Sequence, residues 1–366
     1  MNQIVIRPHK YSQFSSKLEE SHFYLITDLP NSFVIEKSDY YKSYEIIDYA
    51  NNHLLDVIQQ TEEPAHILVI CPNHFISSVE QHRVGKRKLA IMAANSAPTS
   101  VSAISHFVQV LEVSDSQAQR RFADRFFDIV ERSSALHIVD EQYDTSAWFN
   151  PYADENYEWF EQGGPIDWGC QQIVPAGELS VLPMGHGEFS AERRLAINGE
   201  VSLKGFTIVH TGKVSFLPTD QARIYKELSV LERHAAIAKI ENGVITKLQA
   251  THPSVEPAKS ILESLFTVDS RYASIWELGF GINTNLELWP ENTAMNEVYG
   301  GDSGVVHWGL GLTPFTQYHL DIICPGTKVL SDTGEILIGS TAQKLAKGSE
   351  AKMVRNTAVA CPCTSY

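Results

Sequence analysis

Three segments of this chain combine charged or imidazole side chains with apolar residues and glycines: WELGFGIN (276–283), VVHWGLG (305–311) and YHLDIICPG (318–326). They carry Glu277, His307, His319 and Asp321 within a span of 45 residues. Carboxylate and imidazole groups are seldom buried unless a partner neutralises them. A divalent metal ion is such a partner, so these segments predict a metal-binding protein and, with it, an enzyme.

The last segment predicts a strand with two ligands on one face. Residues i and i+2 of a strand point to the same side, so His319 and Asp321 would project together while Leu320 and Ile322 enter the opposite core. The glycines beside His307 let the backbone pass close to whatever the imidazole contacts. A core histidine that hydrogen-bonds a backbone carbonyl is the alternative interpretation of His307.

Two glutamates complete the candidate set. Glu277 lies in an apolar run, where a charged side chain is costly unless it is paired. Glu178 follows a Pro-x-Gly turn and opens a strand, and a solvated turn residue is the alternative there. Three carboxylates and two imidazoles suffice for two adjacent ions with one bridging carboxylate. Two histidines and one carboxylate are also the ligand set of mononuclear iron oxygenases.

For three other polar residues, the sequence allows either a role at the site or an exposed position. Glu297 and Asp302 precede His307 and either orient its imidazole or lie in a solvated loop. His186 stands between glycines and either faces a substrate or is simply exposed. None of the three enters the predicted ligand set.

Composition and charge exclude some classes of partner. The chain has 366 residues and a net charge of −15, from 29 Lys and Arg against 44 Asp and Glu. Nucleic acid and anionic membrane surfaces select basic patches, so neither is expected as a partner. We find no secretory signal and no apolar run near the about 18–20 residues that cross a bilayer. Five cysteines, an odd number, favour reduced thiols and a cytoplasmic location.

The pattern along the chain predicts two domains of different class. Residues 1–155 alternate short apolar strands (23–27, 66–71, 89–94 and 135–139) with helical sequence, including a helix over 114–132 capped by Ser114 or Asp115. Such alternation is typical of an α/β domain with a mainly parallel sheet. Residues 344–366 show little periodicity and predict a flexible tail.

Residues 165–343 predict an α+β, barrel-like domain that holds the metal site. This part has short strands separated by turns and one short helix over 259–266. The strands are expected at 179–183, 200–203, 206–210, 213–216, 237–240 and 244–248. Glu241-Asn242-Gly243 between the last two is a strong hairpin signal.

The order of these motifs resembles the aminopeptidase T family of metallopeptidases. The resemblance rests on PAGE (175–178), ELGFGIN (277–283), HWGLG (307–311) and HLD (319–321), and covers about residues 165–340. It implies an aminopeptidase T-like fold and a pair of divalent ions held by the matching residues, which are Glu178, Glu277, His307, His319 and Asp321. The same fold includes ring-opening dioxygenases of dihydroxypyridine, in which residues matching His307, His319 and Asp321 hold one iron.

Two features differ from the family pattern. The family peptidases usually carry a tyrosine a few residues after the His-x-x-x-Gly segment, where this chain has Pro314 and Phe315. The segment between the two histidines is also shorter, with 11 residues from Trp308 to Tyr318. Tyr318 is therefore the candidate to supply the missing hydroxyl as a catalytic residue.

Three hypotheses about function follow. The first is a metal-dependent hydrolase that cleaves a peptide or amide bond with a metal-bound hydroxide and a pair of Zn, Co or Mn ions. The second is a mononuclear non-haem oxygenase with one Fe(II) that acts on a small molecule. The third is a non-catalytic peptide-binding protein that keeps the fold. The resemblance also implies a possible homodimer, and the expected partner is a peptide or small-molecule substrate.

Overall fold

A computed structural model describes residues 3–50, 53–76, 78–185, 188–190, 192–211, 217–312, 315–339 and 355–356. The strands of this part are, in chain order, β1 (Ile4–Ile6), β2 (His22–Thr27), β3 (Phe33–Ile35), β4 (Tyr44–Asp48), β5 (Ala65–Ile70), β6 (Arg87–Met92), β7 (Leu136–Asp140), β8 (Thr145–Phe149), β9 (Glu158–Gln162), β10 (Gln171–Val174), β11 (Glu178–Leu182), β12 (Met184–Gly185), β13 (Glu188–Phe189), β14 (Ile197–Leu203), β15 (Phe206–His210), β16 (Ala236–Glu241), β17 (Val244–Ala250), β18 (Ile275–Gly281), β19 (Val305–Leu310), β20 (His319–Cys324), β21 (Lys328–Ser331), β22 (Ile336–Ile338) and β23 (Arg355–Asn356). Its α-helices are α1 (Leu54–Gln59), α2 (Val101–Val113), α3 (Ser116–Arg132), α4 (Pro218–Leu228) and α5 (Glu256–Val268).

Four strands from the first part of the chain and β10 form a five-stranded parallel sheet in the order β10-β6-β5-β2-β4. The residues of β2, β5 and β6 are all buried, because separate apolar clusters cover the two faces of the sheet. Parallel strands that are buried on both faces have continuous apolar sequence. The parallel α/β prediction is confirmed for its first three strands.

The fourth predicted strand of this alternation belongs to a different sheet. It forms β7, but β7 pairs antiparallel with β8 and β21. Only every second residue of β7 is fully buried, so one face of the strand is more exposed, as antiparallel sheets allow. In the other direction, β10 lies beyond residue 165 and joins the parallel sheet, so the chain crosses between the two sheet systems more than once.

Two seven-stranded sheets share one apolar core in the rest of the described chain. Their orders are β17-β16-β14-β8-β7-β21-β22 and β15-β20-β19-β18-β11-β9-β23, and all pairs are antiparallel except β9 with β23. Leu320 and Ile322 lie in the shared core, as the alternation in this strand predicts. The β16–β17 hairpin is confirmed, with Asn242 and Gly243 both at positive φ, as a two-residue turn requires.

Helix α3 packs on the same core and begins close to where the sequence predicts. The Asp115 side chain accepts a hydrogen bond from the Ala118 backbone N–H at 2.9 Å, so Asp115 is the N-cap. Phe126 and Phe127 are buried in the shared core. Helices α2 and α4 are not among the predicted elements.

Two predictions fall mainly on residues outside the described part of the chain. These are the strand over 213–216 and the flexible tail over 344–366, of which only β23 is described. No helix within the described ranges is long and apolar enough to cross a bilayer.

Candidate metal centre

The predicted ligands lie on four neighbouring strands of the second antiparallel sheet. His319 and Asp321 come from β20, His307 from β19, Glu277 from β18 and Glu178 from β11. All five are nearly inaccessible, with exposures of 3% for Glu178 and 0% for the other four. The structure therefore brings the whole predicted set together, and their role as ligands stays a prediction.

Glycines make room for the bulky side chains on this face. In the pairing of β18 with β19, Glu277 lies opposite Gly309 and Gly279 lies opposite His307. A Cβ atom on Gly279 would stand 1.9 Å from Nε2 of His307, and one on Gly309 would stand 2.7 Å from Cε1 of His319. The motif glycines are needed because imidazole rings occupy the space above them.

Short distances connect the side chains around two histidines. Nε2 of His319 lies 2.8 Å from Oδ1 of Asp321 and 3.3 Å from Oε2 of Glu277. Nε2 of His307 lies 3.9 Å from Oε1 of Glu178 and 3.7 Å from Oε1 of Glu297.

Two potential ligand groups share one carboxylate. One consists of Glu178, Glu277, Glu297 and His307, and the other of Glu277, His319 and Asp321, each with donor atoms within 4.8 Å of one another. Glu277 therefore belongs to both groups. These buried His, Glu and Asp clusters have the composition and spacing to bind metal ions.

His210 and Glu297 join the cluster although neither belongs to the predicted ligand set. Nε2 of His210, at the end of β15, lies 2.7 Å from Oδ2 of Asp321. His210, Glu297 and Asp321 form a third group of potential ligands. Glu297 follows a short 3-10 helix and is only 6% exposed, which removes the solvated-loop interpretation of this residue. Asp302, by contrast, is exposed, and His186 lies outside the described residues.

Hydrogen bonds at the far ring nitrogens orient two of the histidines. Nδ1 of His319 is 2.7 Å from the backbone oxygen of Gly311, and Nδ1 of His210 is 3.1 Å from Oγ of Ser96. With Nδ1 engaged in this way, Nε2 is the nitrogen left to face the carboxylates. Ser96 comes from the loop after β6, so the parallel-sheet part of the chain contributes to the site.

Several polar atoms of the cluster have no hydrogen-bond partner in the described part of the chain. They include both ring nitrogens of His307, Oε1 of Glu178 and Oε1 of Glu297. The ion pairs of Glu178, Glu297 and Asp321 with described residues are all with histidines. A buried polar atom left unpaired costs about 1–3 kcal/mol, so a fold that collects several of them fits a bound cation.

Electrostatics separates the carboxylates into two kinds. Burial, followed by the charge of neighbouring carboxylates, raises the pKa of Glu178 and of Glu297 well above the ordinary value. Burial alone would also raise the pKa of Asp321, but the imidazoles of His319 and His210 lower it well below its usual range. The protein alone therefore does not hold all its carboxylates ionised, whereas cations would allow it.

The imidazoles also respond to the cluster. Burial lowers the pKa of His307. Burial would lower the pKa of His319 as well, but Asp321 and Glu277 raise it well above the ordinary value. For Glu277, burial favours the neutral acid, while the hydrogen bond from His319 and the charge of His307 lower its pKa.

Tyr318, the predicted catalytic residue, does not lie among the potential ligands. Its side chain belongs to the shared apolar core. Its hydroxyl oxygen lies 3.3 Å from Oδ2 of Asp220 and 3.4 Å from the backbone oxygen of Leu217. Burial and the Asp220 carboxylate raise the pKa of Tyr318 to about 12. Alternation along the chain accounts for this position. His319 faces the ligand cluster, so Tyr318, one residue earlier, faces the apolar core on the other side of the sheet.

A cavity reaches the cluster at two of its carboxylates. It contains about 360 Å³ of empty space, part of it open to solvent. Its polar lining consists of Gln162, Glu178 and Glu297, and its other lining residues are Ala93, Ile173, Val174, Pro175, Ala294, Met295 and Val298. The cavity lies between strands of the parallel sheet and strands of the antiparallel sheet.

Comparisons with known proteins show the fold. No family model and no curated protein matches the chain. The chain is similar to the solved structure of 2,5-dihydroxypyridine dioxygenase from Pseudomonas putida KT2440, with a TM-score of 0.51 and 12% identity over 92% of this chain and 96% of that chain. It is also similar to wild-type AmpT from Thermus thermophilus, with a TM-score of 0.42 and 10% identity over 89% of this chain and 95% of that one. At these identities the first likeness shows a shared mixed α/β fold alone.

Proposed function

We propose that the protein is a metal-dependent hydrolase that holds two divalent ions and cleaves a peptide or amide bond. One observation carries this proposal: two potential ligand groups share Glu277 in a fully buried cluster. The cluster contains four carboxylates, Glu178, Glu277, Glu297 and Asp321, and two divalent ions would balance their four negative charges. With a single divalent ion, two of the buried carboxylates would be held as neutral acids, in line with the raised pKa values of Glu178 and Glu297.

Each part of the chain has a role in this chemistry. When bound, the two ions would polarise the scissile carbonyl and lower the pKa of a coordinated water toward about 7. Glu277 would bridge, and His319 and Asp321 would hold one ion while Glu178 and His307 hold the other. Ser96 and the Gly311 carbonyl would fix the imidazoles of His210 and His319.

The cavity indicates where a substrate would enter and which group would move the proton. Glu178 and Glu297 are the carboxylates that line it, and Glu297, which is not assigned to either ion, would accept the proton of the attacking water. Water adds to the carbonyl carbon, the C–N bond breaks, and the proton passes to the leaving nitrogen. The products are a carboxylate and an amine.

Metal analysis under anaerobic conditions tests the proposal. We expect two zinc, cobalt or manganese ions per chain, and amide hydrolysis that a chelator abolishes and added metal restores. Protein that holds no metal, and whose ligand affinity is unchanged in His307→Ala, would support the non-catalytic peptide-binding hypothesis instead.

An iron oxygenase is the second candidate, and one observation favours it. Asp321 has an imidazole on each side, at 2.7 Å from His210 and 2.8 Å from His319. Two histidines and one carboxylate are the ligand type of mononuclear iron(II) oxygenases. One ferrous ion per chain, with turnover that consumes oxygen, would establish this function and remove the hydrolase.

A further inference from the structure

The cavity above the cluster contains one polar residue that the proposed metal site does not use. Gln162 ends β9 and lies directly opposite Glu178 of β11 in the sheet, so both side chains are on the same face. Gln162 is only 6% exposed. Its Oε1 atom is buried and has no hydrogen-bond partner among the described residues.

A buried amide oxygen without a hydrogen-bond partner needs an explanation. Gln162 carries no charge, and a neutral amide would compete poorly for a metal ion with the four carboxylates of the cluster, so Gln162 is not assigned as a ligand. A group that enters the cavity is the remaining partner for this side chain.

The charge of the cavity restricts what that group is. Its polar wall consists of the Gln162 amide and of Glu178 and Glu297, and Oε1 of each of the three lacks a hydrogen-bond partner among the described residues. These oxygens accept hydrogen bonds and repel anions, so they select a donor such as an N–H group. The other seven lining residues are apolar and include Ile173, Met295 and Val298. They favour a hydrocarbon group next to the donor.

We infer that Gln162 is a specificity-determining residue of the proposed reaction. Its side chain binds an N–H donor of the substrate, and the apolar group next to that donor is compact. The reaction in which Gln162 takes part rests on the proposed function, whereas the binding of an N–H donor by Gln162 does not. The size limit follows from the cavity: part of its empty space is open to solvent, and the enclosed part is small.

Calorimetric titration with amino alcohols tests this inference on the metal-loaded protein. Alaninol and leucinol carry an N–H donor beside a small or a large apolar group, and neither has an amide bond to cleave. We expect wild-type protein to bind alaninol more tightly than leucinol. Gln162→Leu should weaken alaninol binding about fivefold to tenfold, the effect of one lost hydrogen bond. Gln162→Glu, which keeps the acceptor, should retain binding.

Gln13→Leu is the matched control. Gln13 is also buried, at 1% exposure, and neither of its amide atoms has a hydrogen-bond partner in the described part of the chain, but it does not line the cavity. Its substitution should leave alaninol affinity unchanged. Equal alaninol affinity in wild type and Gln162→Leu, or tighter binding of leucinol by wild type, would overturn the inference. Metal content is measured separately: a protein without metal contradicts the proposed function, while the affinity comparison still decides the role of Gln162.

Discussion

Gly279→Ala should remove one of the two proposed metal sites although it replaces none of the predicted ligands. The new Cβ would stand 1.9 Å from Nε2 of His307, whereas carbon atoms and ring atoms normally approach to about 3.5–4.0 Å. The imidazole must therefore move by about 1.5–2 Å. A metal–nitrogen bond tolerates about 0.2 Å, so His307 would no longer reach its ion.

Both metal content and stability should report this clash. Elemental analysis after metal loading should find about one ion per chain in Gly279→Ala, because the group of Glu277, His319 and Asp321 is spared. Overpacking of a buried site costs about 1–3 kcal/mol, so metal-free Gly279→Ala should unfold at lower urea concentration than wild type. Gly163→Ala is the control, since its Cβ would make an ordinary contact at 3.7 Å.

A double-mutant cycle separates the clash from a general effect on the strand. If the imidazole is the obstacle, Gly279→Ala should cost less than about 0.5 kcal/mol in a His307→Ala background, and the two effects should be strongly non-additive. Additive costs, or two ions bound with unchanged affinity in Gly279→Ala, would refute the reasoning.

Three other predictions concern single side chains. Glu277→Gln, which keeps the shape and removes the charge, should lower the affinity for both ions, and retention of two ions with unchanged affinity would exclude a bridging role. Ser96→Ala removes the hydrogen bond to Nδ1 of His210, which pairs with the proposed ligand Asp321, and should weaken metal binding about tenfold, with Ser96→Thr restoring it; equal affinities would show that His210 is held by other contacts. Burial, followed by the charge of Lys88, lowers the pKa of His66 to about 3, so the unfolded chain takes up a proton below about pH 6.5 that the folded protein does not. Stability should therefore fall as the pH decreases, and between pH 7 and pH 5 the wild type should lose about 2 kcal/mol more than His66→Gln in urea unfolding; parallel pH profiles would contradict this.

The sequence predicts those parts of the structure that local periodicity determines. His319 and Asp321 share a face because they are two residues apart, and Leu320 enters the core for the same reason. The parallel strands are recognisable because burial on both faces requires unbroken apolar sequence. The same alternation accounts for Tyr318 pointing to the opposite side, and its role as a catalytic residue stays a prediction.

Long-range pairing is the part that sequence does not reveal. His210 ends an ordinary apolar strand, and its importance comes from the register that sets it opposite His319. Glu297 lies in a loop whose burial depends on tertiary packing. The prediction that β7 belongs to the parallel sheet is wrong for a related reason: a run of five residues is too short to identify its sheet, and the antiparallel pairing with β8 decides which one it joins.

The glycines of the three segments that carry the predicted ligands connect what local sequence predicts about the site with what depends on strand pairing. Glu277-x-Gly279 on β18 and His307-x-Gly309 on β19 pair reciprocally, so that each ligand side chain faces a glycine across the ladder. The chemistry needs Glu277 and His307, but the space they need is supplied by residues without side chains on the opposite strand. A strand that carried only the ligand residues would therefore fold without forming the cluster. The spacing of ligand and glycine within each strand reflects the pairing between the two strands. For that reason these short segments identify the site when the rest of the sequence does not.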